Sequence, residues 1–455
     1  MTIFKFTNVM KFFILLLIPI IQVAQSNNLY LLDQWTTDTL PICYDNESVF
    51  NEVWGFSLNN KDYAVVGSTI GTHFFEIVSN KLVPVGTVDG RYKGRNAVHR
   101  DYHDYDGFLY AVCDEGASSL QIMDLNYLPD SIPIVYDSDS LFVRSHNIFI
   151  DTTTKKLYAC AVTTKSEFHS MNVYDISKPI DPELLYNYDQ VNHVHDAYVY
   201  NDTAYLNCGS EGLRVIESSS NFPIQIGGLS TYFQKGYNHS GWLNESKTTY
   251  VMCDETYGLD IKVLDVSRTE DIEVVSFFNS GMGDRENSVP HNVILKGDVA
   301  YVSYYHDGLQ IFDLSDPLQA KKIAYYDTYP NDPNVSWAGA WGVYPFPNKD
   351  LVLVSDRSNG LFLLAFIPPP LIDDHPFHVF PNPSIDYVYF YRDHFGDADF
   401  DLNLYDVSGK LLDSFHSTSD YFKIENLSIY KSGVYFLSYI SNFDSEVIRV
   451  KFFIQ

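Results

Sequence analysis

Positive charge is scarce in this chain: 30 Lys and Arg stand against 58 Asp and Glu, a formal charge of −28 at pH 7. Such a surface is repelled by phosphate backbones and anionic membranes, so nucleic acid is excluded as a partner. Cysteine is scarce too. The five, Cys43, Cys113, Cys160, Cys208 and Cys253, form an odd count without any C-x-x-C spacing, which predicts neither a disulfide framework nor a zinc clip. Three of them follow a Tyr by three residues, in YAVC, YLNC and YVMC, and read as small buried residues of equivalent strands. No stretch shows a sustained helical period. G-x-S-x-G, H-E-x-x-H and a Gly-rich phosphate loop are all missing, so no motif points to nucleophilic, metalloprotease or nucleotide chemistry.

What is abundant is aromatic: 35 Tyr and 31 Phe in 455 residues, ample for a large core. Residues 1–26 stand apart. Lys5 and Lys11 precede an apolar run from Phe12 to Ile21, and Ala24-Gln25-Ser26 offers a small-x-small cleavage site, the pattern of a secretory signal peptide. The run is shorter than the ~20 residues a membrane span needs, and no transmembrane segment is expected after its removal. The mature chain would keep 28 Lys and Arg against 58 acids, a charge of −30.

The stretch HNVIL at 291 recurs as HNIFI at 146, HDAYV at 195 and HSGWL at 239. Aligning on it gives Trp54, His99, His146, His195, His239, His291 and Trp341, 44 to 52 residues apart. Each unit then carries an apolar strand closed by an acid: LQIMD (120–124), MNVYD (171–175), LRVIE (213–217), IKVLD (261–265) and LQIFD (309–313), followed by Ser, Pro and Asp turn signals. A fourth strand such as PELLYNYD completes it. Four short strands per unit at this period predict an all-β fold, a seven-bladed β-propeller. The seventh unit stops one strand short at Phe366, and LYLLDQWTTD (29–38) resembles the fourth strands, so the N-terminal strand is expected to close the ring. The propeller then spans 27–366. IPPPLIDDHP (367–376) reads as a stiff Pro-rich linker, and 377–455, with turns DVSGK and KSGVY, as a small β-sandwich.

Two resemblances follow from these segments. NEVWGF, GSTIGTHFFEI, HNIFI, VHDAYVY, YNHSGWL, PHNVILKGDVAY, GLQIFDLSDP and AWGVYPFP together resemble the LVIVD-repeat proteins, in particular the choice-of-anchor B family, over residues 29–366. The second unit departs, with VHRDYHDY where that pattern carries a Trp before Arg-Asp. The tail segments VFPNPSIDYVYF, LNLYDVSGKLL, NLSIYKSGVYFLSY and VIRVKFFIQ resemble the C-terminal sorting domain of the type IX secretion system. That resemblance implies a Gram-negative bacterium, export through the periplasm to the extracellular space or outer cell surface, and the type IX secretion machinery as a partner of 377–455.

In a propeller the aligned histidines line one rim of the central channel. The candidate ligand-binding rim is Arg100, Asp101, His146, Asn147, His195, Asp196, His239, His291 and Asn292. The turns on that face should add Asp114, Glu115, Asp254, Glu255, Asp307 and Asp356. Imidazoles and carboxylates around a channel mouth suit a polar glycan, peptide or protein ligand, or a divalent metal as cofactor held by His146, His195, His239 and His291. A metal-dependent polysaccharide lyase or hydrolase is the enzymatic alternative. Histidines that merely tie neighbouring strands are the structural one. His193 and His195 flank one residue and are expected on opposite faces of a strand.

Overall fold

Strand residues with both faces apolar need a neighbour on each side, and Thr249–Asp254 shows how this chain provides them. Tyr250 and Met252 pack with Leu206 and Val215 of the preceding unit. Val251 and Cys253 pack with Val293 and Val302 of the following one. The computed structural model describes residues 26, 28–44, 48–282, 288–330, 337–367, 377–380, 384, 387–392, 400–417, 421–441 and 447–454. The expected leader and Pro-rich linker lie, but for their end residues 26 and 367, outside the described residues.

The described chain is all-β, with two short 3₁₀ turns and no α-helix. Up to residue 367 it forms seven antiparallel sheets of four strands each. Six are built from consecutive strands. The third strands expected from LQIMD, LRVIE, IKVLD and LQIFD are Leu120–Asp124, Leu213–Glu217, Ile261–Asp265 and Leu309–Asp313, each third in its sheet. The seventh sheet joins the two ends of this region: Leu29–Trp35 pairs antiparallel with Gly360–Phe366, from Leu29 opposite Phe366 to Trp35 opposite Leu361. Its other strands are Leu351–Asp356 and Ala340–Pro345.

The first strands of the seven sheets meet in order. Phe50–Leu58 touches Arg100–Tyr105, which touches Asn147–Asp151. Asp196–Tyr200, Asn238–Leu243, Val293–Lys296 and Ala340–Pro345 follow, and the last returns to Phe50–Leu58. Among the described residues no hydrogen-bonded sheet closes on itself. The sheets are instead joined by side-chain packing, with isolated backbone bridges such as Gly209 to Asn238 and Tyr305 to Ala340, in a propeller-like arrangement.

The tail forms two further sheets, one of Phe377–Phe380, Tyr387–Arg392 and Tyr421–Glu425, the other of Leu411–Ser417, Phe400–Asp406, Gly433–Ser441 and Val447–Ile454. Val388, Phe390 and Ile424 of the first share a core with Leu402, Leu404, Leu437 and Phe452 of the second, the packing of a sandwich. All five cysteines are buried and free. No helix among the described residues is long and apolar enough to cross a membrane.

Candidate functional site

Three of the innermost strands follow a histidine whose backbone N–H is captured by the next strand. His146 N donates to Cys160 O at 3.0 Å, His195 N to Asn207 O at 2.7 Å and His291 N to Ser303 O at 2.9 Å. This common anchor sets those three imidazoles at one level. The ring centroids run His99 to His146 5.5 Å, His146 to His195 4.1 Å, His195 to His239 4.3 Å and His239 to His291 4.3 Å. Trp341 closes the circuit, 4.3 Å from His291 and 5.4 Å from His99. Five imidazoles and one indole thus form a six-membered ring.

Trp54 is not among them. It packs on His103 at 4.5 Å and Tyr344 at 4.8 Å, three residues further along its strand than the alignment placed it. Glu52 lines the histidine cavity instead.

That cavity, about 60 Å³, is bordered by Glu52, Arg100, Asp101, Asn147, Asn292, Glu255 and the ring itself. Eight of the nine expected rim residues are therefore brought together; Asp196 lines the next cavity in, also about 60 Å³. Such a volume holds a few waters or an ion, not a sugar ring. Arg100 borders the space, but its guanidinium donates elsewhere, to Ser68 O and Tyr92 O at 2.7 Å each.

The ring atoms are tied to their surroundings. His146 Nδ1 lies 2.8 Å from Asp114 Oδ2, and His99 Nδ1 2.5 Å from Glu115 Oε1. His146 and His195 share a hydrogen bond between their Nε2 atoms at 3.0 Å. His195 Nδ1 meets Tyr237 Oη at 3.0 Å and His193 Nε2 at 3.3 Å. The expectation that His193 and His195 face apart thus fails, because both precede the strand that starts at Asp196. Burial and the neighbouring His146 push His239 down to about 3. Burial likewise pushes His195 and His291 well below the usual imidazole range. These three are neutral at physiological pH. Burial raises Asp114, but its hydrogen bond to His146 together with the charges of His146, His99 and Arg144 outweighs this and lowers it.

Of the six turn acids expected at this face, Asp114, Glu115 and Glu255 reach the histidines, Glu255 at 3.9 Å from His239. Asp254 is buried against Lys262 at 2.9 Å, Asp307 bonds Ser288, and Asp356 caps Ser358 and Asn359.

Below the ring, Glu52, Asp101 and Asp196 converge. Burial raises all three, Asp101 to about 7; Asp101 adds its charge to the other two, which are raised well above the usual carboxyl range. Asn292 Nδ2 donates to Glu52 Oε2 at 2.7 Å, and Ile148 N to Asp101 Oδ2 at 2.7 Å. Gly342 makes room for the first of these acids, since a Cβ there would sit 1.9 Å from Glu52 Oε1.

The opposite mouth was missed by sequence reasoning. It is a cavity of about 360 Å³ lined by Trp54, His103, Phe149, Tyr198, Trp242 and Tyr344, with Tyr198 and Trp242 edge to face at 4.8 Å. Its signal was present: an aromatic residue stands three places after His146, His195, His239 and Trp341.

Residues 378–455 match the family model described as a secretion system C-terminal sorting domain. The tail is a type IX sorting domain, which indicates export to the cell surface or extracellular space. No curated protein matches the sequence. Among solved structures, U3-55K aligns at 8% identity and TM-score 0.53, covering 74% of this chain and 98% of that one. The periplasmic gluconolactonase of Pseudomonas aeruginosa aligns at 10% and 0.51, covering 83% and 100%. A putative 6-phosphogluconolactonase from Bacteroides uniformis gives 12% and 0.50, covering 83% and 100%. Identities this low speak to the fold alone.

Proposed function

We propose that this is a secreted or surface-attached binding module: a signal peptide (1–26), a closed seven-bladed β-propeller of the LVIVD-repeat, choice-of-anchor B kind (27–366), a linker (367–376) and the sorting sandwich (377–455). A glycan, peptide or protein docks at the face carrying the histidine ring. The observation that supports this reading most is the convergence of eight dispersed polar residues on one cavity open to that face. The cavity admits an ion or a small polar end group, so the ligand would lie across the mouth and insert only one such group. An array of glycans and peptides probed with the full chain tests it. Binding that disappears in a His146→Gln/His195→Gln variant with a preserved melting temperature is expected; an array that stays silent, or binding the variant retains, contradicts it.

A second reading, a hydrolase or lyase at the same mouth, is favoured by Asp101, raised by burial to about 7, where a carboxyl can exchange a proton near neutral pH. Turnover of a captured polysaccharide that Asp101→Asn abolishes would select it over simple binding.

A further inference from the structure

Of the four histidines expected to hold a metal, two are already engaged. His146 and His195 bond each other, and Asp114, Tyr237 and His193 occupy their remaining nitrogens. His239 and His291 are differently placed. Their ligating nitrogens and a Glu255 oxygen all lie within 4.8 Å of one another. We infer that His239, Glu255 and His291 form a binding site for one divalent first-row transition-metal ion. This rests on the rim reading above and supplies the group through which that rim would grip an oxygen-bearing ligand.

The donor set decides the class of ion. Two imidazoles and one carboxylate suit zinc, iron(II), cobalt(II) or nickel(II), whereas calcium and magnesium call for oxygen ligands throughout. The tautomer of His291 is fixed. Its Nδ1 lies 2.6 Å from the Trp341 carbonyl, which can only accept, so Nδ1 carries the proton and Nε2 keeps its lone pair. Glu255 is aimed in the same manner: Tyr305 Oη donates to Oε1 at 2.6 Å, and the backbone N of Glu255 is pinned to Tyr237 O at 2.8 Å. Oε2 is left facing His239 Nε2 at 3.9 Å. Donors ~2.0–2.1 Å from a tetrahedral ion stand roughly 3.3 Å apart, so small side-chain rotations bring this trio into coordination.

An ion on the axis of the whole ring is a different matter. The radius of a hexagon equals its edge, which puts the axis roughly 4–5 Å from each centroid, and a ring nitrogen lies only about 1 Å nearer, still too far for the ~2.0–2.1 Å a metal requires. The site is thus off-axis, against the wall between the fifth and sixth sheets. All three residues border the 60 Å³ cavity, and three protein ligands leave a coordination position open towards it.

The test is titration of the chelator-stripped full chain with cobalt(II), followed by its visible d–d absorption, and competition with zinc(II). One ion per chain is expected, with affinity weakened about tenfold or more in Tyr305→Phe, which only loosens the carboxylate, and further in Glu255→Gln. His146→Gln should bind as the unaltered chain does. Absence of stoichiometric binding, or affinity unchanged in both Glu255→Gln and Tyr305→Phe, overturns the site. Array binding that survives chelation would overturn the metal while leaving the rim reading intact; a silent array with metal bound would do the reverse.

Discussion

Asn292 and Glu52 are 240 residues apart in the chain, yet their side chains share a hydrogen bond of 2.7 Å beneath the histidine ring. One comes from the sixth sheet and the other from the first, so the bond exists only if the intervening seventh sheet sets them side by side. Asn292→Ala removes the donor and leaves a buried carboxyl oxygen unpaired. A loss of about 1–3 kcal/mol is expected by denaturant unfolding. Asn292→Asp should cost more at pH 8 than at pH 5, because it adds a fourth carboxyl to Glu52, Asp101 and Asp196.

The seam between the ends of the seven-sheet region offers a second test. Leu29 is fully buried among Phe366, Phe362 and Tyr301, while Leu31 in the same strand is 40% exposed. Leu29→Ala should destabilise by about 2–5 kcal/mol. Leu31→Ala should change stability by no more than about 0.5 kcal/mol. Equal effects at both positions would mean that Leu29–Trp35 does not close this sheet.

Strands with local signatures were legible in the sequence, as were histidines with a repeated context. LQIMD and LRVIE declare themselves by an apolar run ended by an acid, and His146 and His291 by the Asn that follows. The closing strand was legible because the seventh unit lacked one. Features that depend on irregular backbone or on pairing across sheets were hidden. Trp54 was matched to the ring although it sits with Tyr344, three places after Trp341, because the first unit has no histidine at the ring position, and Glu52 was overlooked. Arg100 looked like a rim cation, but its partners are Ser68, at the end of the strand Lys61–Ser68, and Tyr92, in a loop. The aromatic mouth escaped because its members, Phe149, Tyr198, Trp242 and Tyr344, vary in type while sharing only an offset.

The buried acids and imidazoles act on stability in opposite senses with pH. Asp101 is raised to about 7 from an ordinary carboxyl value, so the folded state holds its proton more tightly and stability falls as pH rises from about 4 to about 7. His239 is lowered to about 3, so the unfolded state binds the proton first and stability falls as pH drops from about 6.5 towards 3. The two overlap and partly cancel. Relative to the unaltered chain, Asp101→Asn should therefore gain stability steadily from pH 4 to 7 and level off above, and His239→Gln should gain as pH falls below 6.5. Scanning calorimetry of the three proteins across this range checks both slopes, and parallel curves would refute them.

The central claim is that these imidazoles are gathered, buried and neutral, around one channel. Ring ¹⁵N chemical shifts of histidine-labelled full chain, followed from pH 8 to 5 and assigned with single His→Gln variants, test it directly. His195, His239 and His291 should stay neutral at pH 5. Titration of all three near 6.5, as free imidazoles on an outer wall would show, contradicts the account.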